Sequence, residues 1–243
     1  MKPLVLLHGW GMTSAVFEPL CMRLEDSLET RAIPLPGYDG TRRCEPYLLQ
    51  TVARAVAQTA PDHCAVLGWS LGAHVALEWA RTAPQQVTRL VLIGATPCFI
   101  QHTDWVQAIA PGVLGEFAHV LASDRQRALE RFASLQARGD RELKTVTRTL
   151  RACTAAPVDV SLSTLQQGLD ILSSADLRGM LQAVAQDVLV VHGDRDALVP
   201  LAAGEYLARK LPHASLCVIE GAAHAPFVAH ADRVAAAVQA FLR

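Results

Sequence analysis

The chain of 243 residues has no stretch approaching the roughly 20 apolar residues that a bilayer-spanning helix needs. No membrane span is therefore expected. Its start, Met1-Lys2-Pro3 followed by Leu4 to Leu7, is too short for a secretory leader and is needed as a core strand, so a cytoplasmic location is expected. Six cysteines at positions 21, 44, 64, 98, 153 and 217 are dispersed, with no C-x-x-C and no histidine pair at metal spacing. Neither a zinc site nor a disulfide framework is indicated, and the cysteines read as reduced packing residues; no metal and no organic cofactor is expected. The net charge of -1 argues against bulk nucleic-acid binding. No internal repeat or low-complexity segment is visible.

What is present is a chain that is 51% hydrophobic and long enough for one sizeable core. Strand and helix patterns alternate up to about Thr96, become helical with scattered polar residues until about Leu181, and then alternate again. The expected architecture is an α/β core made of residues 1–96 and 182–243, with a helical cap inserted at 97–181. A single chain is expected to act as a monomer.

Residues 68 to 72 read Gly-Trp-Ser-Leu-Gly, after an apolar run at Cys64 to Leu67 and before a helix-like stretch at Ala73 to Ala83. A G-x-S-x-G between strand and helix is the setting of a nucleophile elbow, in which a sharp turn projects the serine Oγ. Ser70 is the candidate nucleophile, and a buried turn serine is the alternative. The partners of a triad follow in the order serine, carboxylate, histidine. A strand at Val188 to Val191 leads into His192-Gly193-Asp194-Arg195-Asp196, and a strand at Ser215 to Ile219 leads into Glu220-Gly221-Ala222-Ala223-His224. His224 is the predicted general base. Asp196, just before Leu198-Val199-Pro200, is favoured as its orienting carboxylate, and Asp194 is expected to brace the turn. His63, His102, His119, His213 and His230 are read as incidental, and His74 as packing.

The strand Leu4 to Leu7 runs into His8-Gly9-Trp10-Gly11. Acyl transfer needs two donors aimed at the oxyanion of the tetrahedral intermediate. One is expected from the N–H of Leu71, the residue after the nucleophile, and the other from Trp10. His8 is read as structural.

On these motifs the chain resembles the α/β-hydrolase superfamily. HGWG, LGWSLG, Ala95-Thr96-Pro97-Cys98-Phe99, the segment Glu130 to Gln136 and Ala222 to Phe227 together resemble the esterases that act on pimeloyl methyl ester carried by acyl-carrier protein in biotin synthesis. That resemblance implies an α/β-hydrolase fold with a mostly parallel sheet of about six strands, beginning at what is usually the third strand, which puts edge protection in question. It implies substrate contacts at Trp10, Ser70, Leu71, Phe132, Ala133, Ser134, Leu135, Gln136 and His224. Phe132 and Leu135, on the inward side of the cap segment, are read as closing an apolar channel with Trp10 and Leu71, with ordinary cap packing as the alternative. The resemblance also implies acyl-carrier protein as the partner.

Between Asp124 and Arg151 there are eight basic residues (Arg125, Arg127, Arg131, Arg138, Arg141, Lys144, Arg148, Arg151) against four acidic ones (Asp124, Glu130, Asp140, Glu142). Arg127 and Arg131, and Lys144 and Arg148, are each four apart and share a helix face. A solvated, ion-paired surface and a docking face for an acidic carrier protein both fit this run. Other readings of the triad are a general carboxylesterase or thioesterase, a carbon–carbon hydrolase of the menaquinone type, and a non-catalytic ligand-binding member. A serine at the elbow excludes halide and epoxide chemistry, which needs an aspartate there.

Overall fold

The computed structural model describes residues 3–155 and 160–243; Met1 and Lys2, part of the start read above against a leader, lie outside them. Strands Leu4–Leu7 (β1), Thr30–Ala32 (β2), Cys64–Trp69 (β3), Val87–Ile93 (β4), Asp187–Gly193 (β5) and Ala214–Ile219 (β6) form one sheet in the order β2-β1-β3-β4-β5-β6. Every neighbouring pair is parallel, so the parallel character is complete rather than predominant. Parallel neighbours require crossover connections, and helices supply them. These are Glu18–Leu24 (α1), Leu49–Thr59 (α2) and Leu71–Thr82 (α3), with Leu201–Lys210 (α8) later in the chain. Between β4 and β5 lie Pro111–Ser123 (α4), Arg125–Ala137 (α5), Leu143–Ala152 (α6) and Leu162–Ser174 (α7). A short helix Pro226–Ala229 (α9) and Ala231–Leu242 (α10) close the chain.

Strands β1 and β3, and most of β4 and β5, are buried on both faces, as inner parallel strands under helices must be. Alternation with period two sends Val5, Leu7, Val66, Leu90, Leu92, Val188 and Val190 into one apolar cluster with α2, α3 and α8. Leu4, Leu6, Leu67, Trp69, Val91, Ile93, Leu189 and Val191 enter a second with α1 and α10. Helix α5 straddles both, placing Leu129 and Phe132 in the first and Ala133 and Ala137 in the second. It therefore sits across the sheet's end instead of along one face.

That end is where the functional loops gather. The register pairs Leu7 with Gly68, Trp69 with Ile93, Ile93 with Val191 and Gly193 with Ile219, so the carboxyl ends of β1, β3, β4, β5 and β6 finish level. Chain direction reverses across the sheet between β1 and β3, the switch point at which open α/β sheets bind ligands. The loops of His8–Gly11 and of Ser70 leave from those two strands. The edges are modest: β2 has three residues, and β6 exposes Ser215 and Val218. A short strand and an interrupted apolar face limit pairing with another chain.

Candidate active site

Ser70 joins β3 to α3 with no intervening residue, at φ 55° and ψ −118°. A non-glycine residue held there stores about 1–3 kcal/mol of strain. The turn is over-determined by its surroundings. Ser70 N donates to Ile93 O at 3.1 Å, and Ser70 O accepts from Ala73 N at 2.9 Å. A Cβ on Gly72 would lie 2.1 Å from Leu7 O, and one on Gly68 would lie 2.4 Å from Gly72 O, so only glycine permits the approach of strand and helix. The helix begins at Leu71, two residues before the expected Ala73, because the serine itself occupies the capping position. As the first residue of α3, Leu71 has no intrahelical acceptor for its N–H.

His224 is fully buried, and its Nδ1 lies 2.7 Å from Asp196 Oδ2. A carboxylate only accepts, so Nδ1 carries the proton and Nε2 presents a lone pair. Nε2 is buried without a hydrogen-bond partner among the described residues. The second oxygen, Asp196 Oδ1, accepts from Leu198 N at 2.9 Å and Val199 N at 2.8 Å, which fixes the carboxylate in the turn. Asp194, the competing aspartate, is exposed and accepts the N–H of Gly221 at 2.6 Å. It ties the β5 and β6 loops together. His192 Nε2 lies 2.8 Å from Val199 O and 3.5 Å from Asp196 Oδ2, and burial lowers its pKa, so it stays neutral.

Trp69, between Gly68 and Ser70, connects the serine and histidine loops. Its Nε1 donates to His224 O at 2.9 Å, and its ring centroid is 5.7 Å from that of the imidazole. His224 N donates to Gln136 O at 3.2 Å, so the end of α5 also holds the histidine backbone. Asp140 belongs to the same constellation and was hidden in the charge run. Counted there as a surface acid, it is buried, and its Oδ2 accepts from Ala223 N at 2.8 Å. The preceding glycine was the only local sign that Arg138-Gly139-Asp140 forms a turn.

The loop after β1 is equally fixed. His8 Nε2 accepts from Leu35 N at 3.0 Å and Nδ1 lies 2.9 Å from Gly9 O, with burial lowering its pKa. His8 is thus a neutral brace. Trp10 is fully buried, donates from Nε1 to Leu165 O of α7 at 2.8 Å, and meets Phe132 edge-on at 4.9 Å. Leu71, Phe132 and the partly buried Leu135 share its apolar cluster. The other expected contacts are placed differently. Ala133 packs in the opposite cluster, and the Ser134 hydroxyl donates to Glu130 O and accepts from Arg151 of α6. The Gln136 side chain is buried with neither amide atom partnered among the described residues.

Of the basic residues, Arg127, Arg131, Lys144 and Arg148 are all exposed on α5 and α6. Arg131 stacks over Phe117 and lies 4.0 Å from Glu116, while Arg141 pairs with Glu220 at 2.8 Å. No ion pair among the described residues engages Arg127, Lys144 or Arg148. All six cysteines are free. No helix of the described residues is long and apolar enough to cross a membrane.

Residues 2–231 match the alpha/beta hydrolase fold family. A pimeloyl-[acyl-carrier protein] methyl ester esterase from Aromatoleum aromaticum is 39% identical over 99% of this chain and 98% of its own. One of the same name from Nitrosomonas europaea is 35% identical over 95% and 91%. Among solved structures, an esterase from Exiguobacterium antarcticum superposes with a TM-score of 0.87 at 23% identity, covering 100% of this chain and 92% of that one. A bromoperoxidase from Bacillus anthracis reaches 0.86 at 22%, covering 99% and 91%. At such identity these two speak for the fold alone. The chain belongs to the α/β-hydrolase family and, within it, to the group of relatives that bear the pimeloyl-[acyl-carrier protein] methyl ester esterase name.

Proposed function

We propose that the protein is a serine carboxylesterase that removes the methyl group from pimeloyl-[acyl-carrier protein] methyl ester, serving biotin synthesis in the cytoplasm as a monomer without a cofactor. The observation that carries the reading is the buried His224–Asp196 pair, which leaves Nε2 unpartnered among the described residues, together with the strained elbow serine at the same end of the sheet. The relatives' shared name at 35–39% identity supplies the substrate. Ser70 Oγ attacks the ester carbonyl while His224 Nε2 takes its proton, and Asp196 stabilises the imidazolium. The N–H groups of Leu71 and Trp10 receive the developing oxyanion. Methanol leaves with the proton from His224, and water, deprotonated by the same nitrogen, hydrolyses the acyl-enzyme to free the carboxylate.

Residues 97–181 act as a cap over the core made of 1–96 and 182–243. The acyl chain runs against Trp10, Leu71, Phe132 and Leu135. Arg127 and Arg131 on α5, with Lys144 and Arg148 on α6, form a docking face for the acidic carrier protein. Three of these four have no ion-pair partner among the described residues, which leaves their charge available to steer a partner. The test compares the carrier-bound methyl ester with a free short-chain methyl ester, for wild type and for Arg131→Ala with Arg148→Ala. A preference for the carrier-bound ester, reduced about tenfold in the double variant and weakened by salt, is expected. Equal rates on both substrates would leave a general carboxylesterase.

A further inference from the structure

The loop that presents His224 has four successive backbone N–H groups, and each is held. Gly221 N donates to Asp194 Oδ1 at 2.6 Å, Ala222 N to Ile219 O at 3.2 Å, Ala223 N to Asp140 Oδ2 at 2.8 Å, and His224 N to Gln136 O at 3.2 Å. The last two acceptors come from the end of α5 and the turn that follows it, within the helices inserted between β4 and β5. Arg141 N returns a bond to Gly221 O at 2.8 Å, so turn and loop are laced in both directions. The same turn abuts the aspartate loop: Gly139, at φ +99°, has room for no Cβ, which would fall 2.5 Å from Arg195 O.

Within this lacing Asp140 stands out. Its side chain is fully buried, yet no arginine or lysine pairs with it among the described residues. Its Oδ1 accepts from Glu142 N at 2.8 Å and faces His230 Nε2 at 3.4 Å. The neighbouring Arg141 turns to Glu220 instead, and Arg233 donates to Glu220 O. Burying a carboxylate is costly unless its acceptor capacity is used. Here that capacity is used on the amide immediately before the histidine. The carboxylate holds the Ala222–Ala223 peptide, one step before the peptide that His224 N closes on Gln136 O, so the two bonds together set where the His224 side chain starts.

We infer that Asp140 is a positioning residue for His224, acting through the Ala223 N–H to hold the imidazole in register with Ser70 and Asp196. This rests on the reading of His224 as general base. The inserted helices are thereby part of the catalytic framework and not only a cover for the acyl chain. A histidine shifted by about 1 Å costs on the order of 100-fold in rate while leaving the apolar substrate channel untouched. The effect belongs to kcat, not KM.

The full chain is compared with Asp140→Ala and Asp140→Asn, using p-nitrophenyl butyrate for kcat and KM and a fluorophosphonate to count reactive serines. The far-downfield proton NMR signal of the His224–Asp196 hydrogen bond reports alignment without turnover. Asp140→Ala is expected to lose about 10- to 100-fold in kcat per reactive site with KM within about threefold, and to shift or broaden the downfield signal well below its melting temperature. Asp140→Asn, whose amide oxygen can still accept from Ala223 N, is expected to recover part of the rate. If Asp140→Ala does not fold, Asp140→Asn carries the test through the same two readouts. An unchanged kcat per reactive site with an unmoved signal would overturn the inference, as would a loss that merely follows the fraction unfolded. Failure of the parent reading looks different: Ser70→Ala would then keep the wild-type rate, whatever Asp140 does.

Discussion

His224 Nδ1 donates to Asp196 Oδ2 at 2.7 Å, and both side chains are wholly excluded from solvent. The carboxylate is held on its other oxygen by two backbone amides, so it cannot rotate away from the imidazole. Asp196→Asn would offer an amide where the histidine needs an acceptor, favouring the wrong tautomer. A fall in kcat of about 10³- to 10⁴-fold is expected with KM little altered. Asp194→Asn should cost no more than a few-fold, because Asp194 braces a turn and does not touch the imidazole. Steady-state kinetics of the two variants decide the assignment, and the reverse ranking would make Asp194 the orienting residue.

Acid should weaken the fold through its buried histidines. Burial lowers the pKa of His8 and His192, and takes that of His74 from 6.5 to about 4. A histidine whose folded pKa is depressed takes up a proton more readily when unfolded. Stability is therefore full above about pH 6.5 and declines as pH falls toward 4. His74 alone accounts for about 2 kcal/mol between pH 6.5 and 5. Urea unfolding across that range measures it, and His74→Asn, which keeps a donor for Ser70 O, should flatten the slope. An unaltered slope in that variant would place the acid sensitivity elsewhere.

Phe132 touches Trp10 and Phe117 edge-on, with centroids 4.9 Å and 5.5 Å away. Phe132→Ala removes both contacts and is expected to cost about 3–5 kcal/mol of stability. Where the variant remains folded, the proposed acyl channel predicts that KM for a medium-chain acyl ester rises more than kcat falls, since the ring would wall the chain and not the reacting atoms. A kcat loss at constant KM would instead make the ring a support for the Trp10 loop.

The parts of the site that could be read in advance are those written in short, contiguous patterns. The elbow pentapeptide, the Val188 to Val191 run with its following aspartates, and the loop after Ile219 each carry strand, turn and functional residue within about ten positions. Asp140 is 83 residues from the amide it holds, and its neighbours Arg138 and Arg141 give it the look of a solvated charge run. Strand β2 was equally obscure: Thr30-Arg31-Ala32 is polar, brief and partly exposed, so neither alternation nor an apolar run marks it. The placement of α5 was only half legible. The Glu130 to Gln136 segment points to the substrate, but not to a helix that shares its side chains between two cores.

Methanol release from pimeloyl-[acyl-carrier protein] methyl ester by wild type and by Ser70→Ala is the measurement that bears most directly on the proposed activity. Wild type should turn over and, quenched early, carry an acyl group on the peptide containing Ser70, while Ser70→Ala falls by about 10⁵-fold or more with the fold intact. Comparable methanol release by both proteins, or an acyl group on another residue, would contradict the account.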